Sequence, residues 1–548
     1  MCASRKSGTS PLSKAMPMRF WCGLLTSLWA ASALPAQAAM KPAVGQVFSD
    51  MAPTAPGCAV GVQQGGAAPS FMAFGSADLE HGVPNTPSTV FEAGSVSKQF
   101  TATAILLLAG DGRLSLTDDV RKYIPELPAY GRPITIDQLL THTSGLRDWG
   151  DVEAISGWPR GDRVYGLEDV LSVTRRQNAL NYEPGTRWSY TNTGYNLAAI
   201  IVQRVSGRSL ADFSRERIFE PLGMSHTQWR DQFRQVIVGR AIAYKPVGQS
   251  FLQDMPFENA YGNGGLLTTV GDLLAWNRAL VDQRLGAFVT DELQRRAILS
   301  GGHVVGYGRG LFLDRHDGLT EVAHPGVTAG YRAWLGRYPE RGLSLALLCN
   351  NAGVDSVARA RAVADVYLSK YSGAPAPGGG ASSGLLRYAG WYADGRSGAP
   401  VHLVVEDGKL RREGGPWLTT EGDAFFLGLT KLQFLEGGRI QMFVAGDSTM
   451  LTPMKPYRPT EAALARLAGR YKSDEAGVTY VVGLKNGLLH VVIEERPDAE
   501  YVAEPTYEGA FRLRDDLMMR PAESATGQII GISLSTDRVW SLLLRRLD

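Results

Sequence analysis

The segment SGAPAPGGGASSG, residues 372–384, carries only glycine, alanine, serine and proline, so it has no side chains from which to build a core and reads as a linker. It separates two parts of the chain with different patterns. Upstream, residues 39–371 mix helical periodicity with strand runs. Downstream, short alternating strands are punctuated by glycine and proline. A short echo recurs there: Leu386-Arg387-Tyr388-Ala389-Gly390-Trp391-Tyr392 resembles Ala465-Arg466-Leu467-Ala468-Gly469-Arg470-Tyr471. Each copy is followed by a strand run and a glycine turn, VHLVVEDGKLRR in one and YVVGLKNGLLHVVI in the other. Two antiparallel β-barrel-like units, at 385–458 and 459–548, account for the echo; one larger β domain is the alternative.

The N-terminus reads as a targeting segment. Arg5, Lys6, Lys14 and Arg19 precede the apolar run 20–34, and Ala36-Gln37-Ala38 forms a small-x-small cleavage site. A signal peptide over 1–38, cleaved after Ala38, predicts an exported, periplasmic or secreted protein. Cys22 stands at the start of the apolar run, which argues against a lipid anchor. Removal of this segment leaves two of the four cysteines, Cys58 and Cys349, in separate strand-like runs. They are open to one disulfide or to two buried thiols. No cysteine or histidine spacing resembles a metal site. With a formal net charge of +2, neither nucleic acid nor an anionic membrane is indicated as a partner.

Residues 56–77 read as a hairpin, PGCAVGVQQ and SFMAFGSAD across Gly65-Gly66. Next, Ser95 and Lys98 stand three apart at the mouth of an apolar helix, so both lie on one face. The helix start adds N–H groups and a positive dipole end, which favour an oxyanion and could turn a serine into a nucleophile. Alone, the pair is a weak signal and fits an N-capping serine with a solvated lysine better. Thr135 or Asp137 starts a helix that ends at THTSG. His142 in that turn has no carboxylate spaced to orient it and reads as a turn histidine held by hydrogen bonds.

In YEPGTRWSYTNTGYNLAAIIVQ, Tyr190 and Asn192 sit on a polar loop before an apolar helix starting near Tyr195. Residues 204–300 add helices, one capped near Thr269, with no chemical signature. His324-Pro325-Gly326 opens a strand, two alternating strands follow across the turn 339–342, and a helix runs to residue 371.

Ser95-Val96-Ser97-Lys98, Tyr190-Thr191-Asn192 and His324-Pro325-Gly326 together resemble the three motifs of the penicillin-recognising serine hydrolases, in order and with that superfamily's spacing. Residues 45–371 are similar to its class C β-lactamase and carboxypeptidase branch. With the two β units appended, the chain resembles the D-aminopeptidase type. The resemblance implies an α/β fold, an antiparallel sheet flanked by helices plus an all-α cluster, followed by two small antiparallel β-barrel-like domains. It implies that Ser95 forms an acyl-enzyme, with Lys98 or Tyr190 moving its proton and Asn192 holding Lys98 and the substrate amide. It also implies an oxyanion hole from the backbone N–H groups of Ser95 and Val327, with substrate lying along Pro325 and Gly326.

No cofactor or metal is implied. The expected partner is a small peptide, amide or ester, with no nucleic acid and no stable membrane anchor. His324-Pro325 replaces the Lys-Thr of the lactamase form, which weakens the grip on a substrate carboxylate. Hydrolysis of amides or peptides, D-amino-acid-containing ones included, is therefore expected ahead of ester or β-lactam cleavage. A sensor that binds penicillin or peptide without turnover is the alternative from another class. If His324 lines the site, activity should inflect in its titration range, around ~6.5 before any shift.

Overall fold

The computed structural model describes residues 42–368, 385–413, 418–421, 424–427 and 430–547. The expected signal peptide and linker lie outside these residues. A six-stranded antiparallel sheet organises the first part. Its strands are β1 Cys58–Gln64, β2 Ser70–Phe74, β3 Phe312–His316, β4 Leu319–Thr328, β5 Tyr331–Tyr338 and β6 Leu343–Cys349, in the order β3-β4-β5-β6-β1-β2. The helices used below are α1 Lys98–Gly110, α2 Ile136–Leu140, α3 Trp149–Ile155, α4 Leu167–Thr174, α5 Thr193–Ser206, α6 Val270–Val281, α7 Ala287–Gln294 and α8 Ser356–Leu368.

The sheet is covered on both faces. Cys349, Leu347, Leu345 and Trp334 pack with Val363, Ala364 and Tyr367 of α8. On the other face Leu348, Ala346, Leu335 and Ala333 pack with α1 and α6. Hence LSLALLC is buried at every position and reads as a continuous apolar run without strand alternation. Helix α1 is enclosed in the same way, with Phe100, Ile105, Leu106 and Leu108 all buried. Thr135 caps α2 in a reciprocal box with Gln138, and Thr269 Oγ1 accepts from Asp272 N–H at the start of α6. Cys58 and Cys349 are direct cross-strand partners on β1 and β6 and form a disulfide, which resolves the alternative left open by their spacing.

One expectation is corrected. His324-Pro325-Gly326 does not open a strand but lies in the second half of β4. Strand β3 pairs only with Leu319–Ala323, so the edge beyond Ala323 is free of it. The two-residue turn Ala329-Gly330 closes on the pair Thr328 and Tyr331, which sets the alternation of the hairpin. Residues 324, 326 and 328 bond to β5, while 325 and 327 face the free edge. Proline is tolerated at 325 because its missing N–H would have pointed out of the ladder.

From Gly390 onward, eight strands up to Met454 form one sheet and eight between Gly469 and Arg546 close a barrel. The two share a topology. In the barrel the first strand pairs with the last, and in the sheet Gly390–Asp394 likewise pairs with Asp447–Met454. The sheet differs in lacking a pairing between Lys409–Arg412 and Thr419–Glu421 among the described residues. The echo in sequence thus marks a repeated meander.

The barrel is not a detached appendage. Trp149, Val152, Ile155 and Tyr165 of the helical part share one apolar cluster with Tyr480, Ile493 and other barrel residues. Tyr480 donates to the Ile155 carbonyl at 2.8 Å, and Arg147 pairs with Glu475 at 2.8 Å.

Candidate active site

Ser95 sits in a 3-10 turn, Gly94–Ser97, that leads directly into α1, and Lys98 is the first residue of that helix. The turn is wedged against β4. A Cβ on Gly94 would lie 2.6 Å from the Val327 nitrogen, and its φ of 51° is one that side chains resist. A Cβ on Gly326 would lie 2.0 Å from the Ala93 carbonyl oxygen. Both glycines therefore serve close backbone contact. Together with the outward parity of Val327, this puts a strand N–H beside the turn that carries Ser95.

Lys98 Nζ lies 3.1 Å from Ser95 Oγ, 3.0 Å from Asn192 Oδ1 and 2.6 Å from the Asn263 carbonyl. No carboxylate pairs with it among the described residues. Burial, reinforced by the cation of Arg538, holds its pKa well below the usual lysine range. Nζ donates to all three, and with its pKa lowered the amine can give up the proton that faces Ser95 and leave a lone pair there. The Tyr190 phenol lies close to Ser95, and burial pushes its pKa up to about 12, so it remains protonated. Tyr190 also stacks below Lys98, with Nζ 4.8 Å from the ring centroid.

The loop that carries Tyr190 and Asn192 is held from beneath. Asp148, which also caps α3, accepts from Asn192 N–H at 2.6 Å. Asn196 on α5 bonds Asn263 Oδ1 at 2.7 Å and so orients the segment whose carbonyl meets Lys98.

His324 lines the cavity, but both of its nitrogens are engaged. Nδ1 lies 2.6 Å from the Pro325 carbonyl, which can only accept, so Nδ1 carries the proton and Nε2 accepts from Tyr307 Oη at 3.1 Å. Tyr307 in turn accepts from His142 Nε2 at 3.2 Å, and His142 Nδ1 accepts from Thr191 N–H at 3.3 Å. One directed chain therefore links the Tyr190 loop to β4. Burial pulls His324 down to about 3 and His142 well below the usual imidazole range. The expected inflection near 6.5 is thus corrected: His324 stays neutral because its ring is enclosed. His142 is the hydrogen-bonded turn residue that its sequence context indicated, at a left-handed φ of 61°.

These groups open onto a cavity of about 580 Å³ lined by Ser95, Tyr190, Asn192, His324, Pro325 and Val327. Four further contributors were not visible in sequence. Asn263 and Glu258 come from the stretch 204–300 that showed no chemical signature, although Gly262-Asn263-Gly264 offered a turn as a clue. Val444 comes from the eight-stranded sheet. Arg538 comes from the barrel, and no local pattern marks it.

The Beta-lactamase family profile matches residues 44–368. The D-aminopeptidase of Cereibacter sphaeroides (strain ATCC 17023) is 28% identical over 445 residues, spanning 79% of this chain and 82% of that protein. The D-aminopeptidase of Gluconobacter oxydans is 28% identical over 454 residues, spanning 79% and 83%. The D-amino acid amidase from Ochrobactrum anthropi SV3, solved with L-phenylalanine amide, superposes with a TM-score of 0.53 at 26% identity, covering 61% of this chain and all of that one. The octameric penicillin-binding protein homologue from Pyrococcus abyssi shares the fold over 84% of this chain and 98% of its own, with a TM-score of 0.54 at 22% identity. The chain belongs to the beta-lactamase family and is a serine hydrolase.

Proposed function

We propose that this hydrolase is exported and cleaves small amides or peptides, D-amino-acid-containing ones included, through an acyl-enzyme on Ser95. The observation that carries this reading is the buried Lys98 amine, placed 3.1 Å from Ser95 Oγ with no carboxylate paired to it among the described residues. As Ser95 Oγ attacks the carbonyl carbon, its proton passes to neutral Lys98, and the carbonyl π electrons move to oxygen. The Ser95 and Val327 N–H groups receive that oxyanion. Tyr190, protonated, gives its proton to the leaving nitrogen as the C–N bond breaks, and is reprotonated from Lys98. Water then cleaves the ester by the reverse proton path. Asn192 fixes Lys98, and His324 positions β4 without exchanging a proton.

The D-aminopeptidase and D-amino acid amidase relatives support the substrate class. The disulfide between Cys58 and Cys349 supports an oxidising compartment. The domain limits proposed are 39–371 for the hydrolase part and 385–458 and 459–548 for the β units. Rates on a D-alanine anilide, a p-nitrophenyl ester and a chromogenic cephalosporin, with Ser95→Ala as control, test the proposal. The anilide should lead, and Ser95→Ala should lower kcat by at least about 10³-fold. Undiminished turnover by the variant rejects the mechanism, and a leading ester rate makes the chain an esterase.

A further inference from the structure

A second cavity, of about 500 Å³, lies between the C-terminal end of α6, helix α7, the end of β5 and the start of β6. It shares no lining residue with the cavity at Ser95. Two polar groups that line it have a buried atom without a hydrogen-bond partner, Nη1 of Arg337 and Oγ1 of Thr290. The two residues are only 5% and 6% exposed. Arg337 continues the row of Ala333 and Leu335 on β5, at a position where the core would favour another apolar side chain.

Among the described residues no carboxylate forms an ion pair with Arg337. Asp282 at the rim is taken by Arg278 at 2.7 Å, and Asp291 is exposed on α7. A buried cation without a counter-charge is destabilising, and an anion that enters the cavity relieves this. Burial alone draws the guanidinium down to about 10. The remaining walls include Leu280, Val281 and Pro339, which suit an apolar body. At the rim Arg278 and Asp282 offset each other and Asp291 adds a negative charge, so the unpaired Arg337 guanidinium with the Thr290 hydroxyl matches a single negative charge better than a double one.

We propose that this cavity is a binding site for a small organic carboxylate, whose oxygens take the Arg337 guanidinium and the Thr290 hydroxyl while its apolar part lies against Leu280, Val281 and Pro339. Planar guanidinium and carboxylate groups match in a two-bond fork.

The test is a titration of the full-length protein with 4-fluorobenzoate, followed by ¹⁹F line broadening, with inorganic phosphate titrated in parallel. Saturable binding of the benzoate is expected, with phosphate weaker by at least about tenfold. Arg337→Met should weaken benzoate binding by at least about tenfold, the loss of a charge-assisted pair, and Thr290→Val by a smaller factor. Val281→Trp, at a position that is 62% exposed, should block the cavity without disturbing the core. It keeps the test decisive if Arg337→Met fails to fold. Absence of saturable binding, binding unchanged by Val281→Trp, or tighter binding of phosphate than of benzoate each overturns the proposal.

Discussion

The Arg538 guanidinium lies over the Tyr190 ring, 5.1 Å from its centroid, although one belongs to the C-terminal barrel and the other to the loop before α5. The barrel thereby adds a positive charge to the cavity, only loosely balanced by Asp148 at 3.9 Å. After burial, that cation is the largest influence that lowers the Lys98 pKa. Removing it lets the Lys98 pKa rise. Arg538→Ala should therefore move the acid limb of the kcat/KM profile to higher pH, by about half a unit or more, while Arg538→Lys leaves it in place. Profiles of the three proteins on one substrate decide this, and coincident acid limbs contradict it. A point substitution is preferable to deleting the barrel, since truncation would expose the cluster around Trp149 and Tyr165.

Tyr307 is the central link between His142 and His324. Tyr307→Phe keeps the ring packing and removes the hydroxyl, leaving a buried donor on His142 and a buried acceptor on His324. Each orphaned group costs about 1–3 kcal/mol. Urea denaturation should show that loss, and kcat should fall with the acid limb unmoved, because Lys98 keeps its neighbours. An unchanged midpoint would show that the chain contributes nothing.

Acid should act on this protein partly through His324. Its folded pKa of about 3 lies below the ordinary 6.5, so between these values the unfolded chain binds a proton that the folded chain refuses. Stability then falls as pH drops from 6.5 towards 3. Asp151 works in the opposite sense, raised from 3.8 to about 6 by burial and by the like charge of Asp148. Comparing wild type with His324→Gln isolates the histidine. Their stability difference should depend on pH only in that window, and parallel curves contradict the assignment.

Lys98 obeys the same linkage. Its lowered pKa means that the unfolded chain carries the extra proton up to the ordinary 10.5, so the folded state gains stability as pH rises towards that value. Lys98→Met should be inactive and, at neutral pH, more stable by about 1–2 kcal/mol. The gain should shrink as pH approaches 10.5. Denaturation midpoints at neutral and alkaline pH check this, and a less stable variant at neutral pH sinks it.

The motif residues were legible because each obeys a local rule. Three-residue spacing puts Ser95 and Lys98 on one helical face, and a turn followed by an apolar run places Tyr190 and Asn192 at the mouth of α5. The caps at Thr135 and Thr269 follow from side chains that bond their own neighbours. The position of His324-Pro325-Gly326 within β4 was less legible, because the strand ladder depends on where β3 stops, and β3 is set by tertiary pairing.

By itself the sequence determined the turn and helix at Ser95, the capped starts of α2 and α6, and which side chains can carry nucleophilic chemistry, since propensity, capping and periodicity act between near neighbours. Only the tertiary structure decided that Cys58 meets Cys349, that His324 is neutral, that Tyr307 links two motifs and that Arg538 enters the cavity. Those outcomes depend on burial and on charges brought together from distant parts of the chain, and no local pattern encodes either.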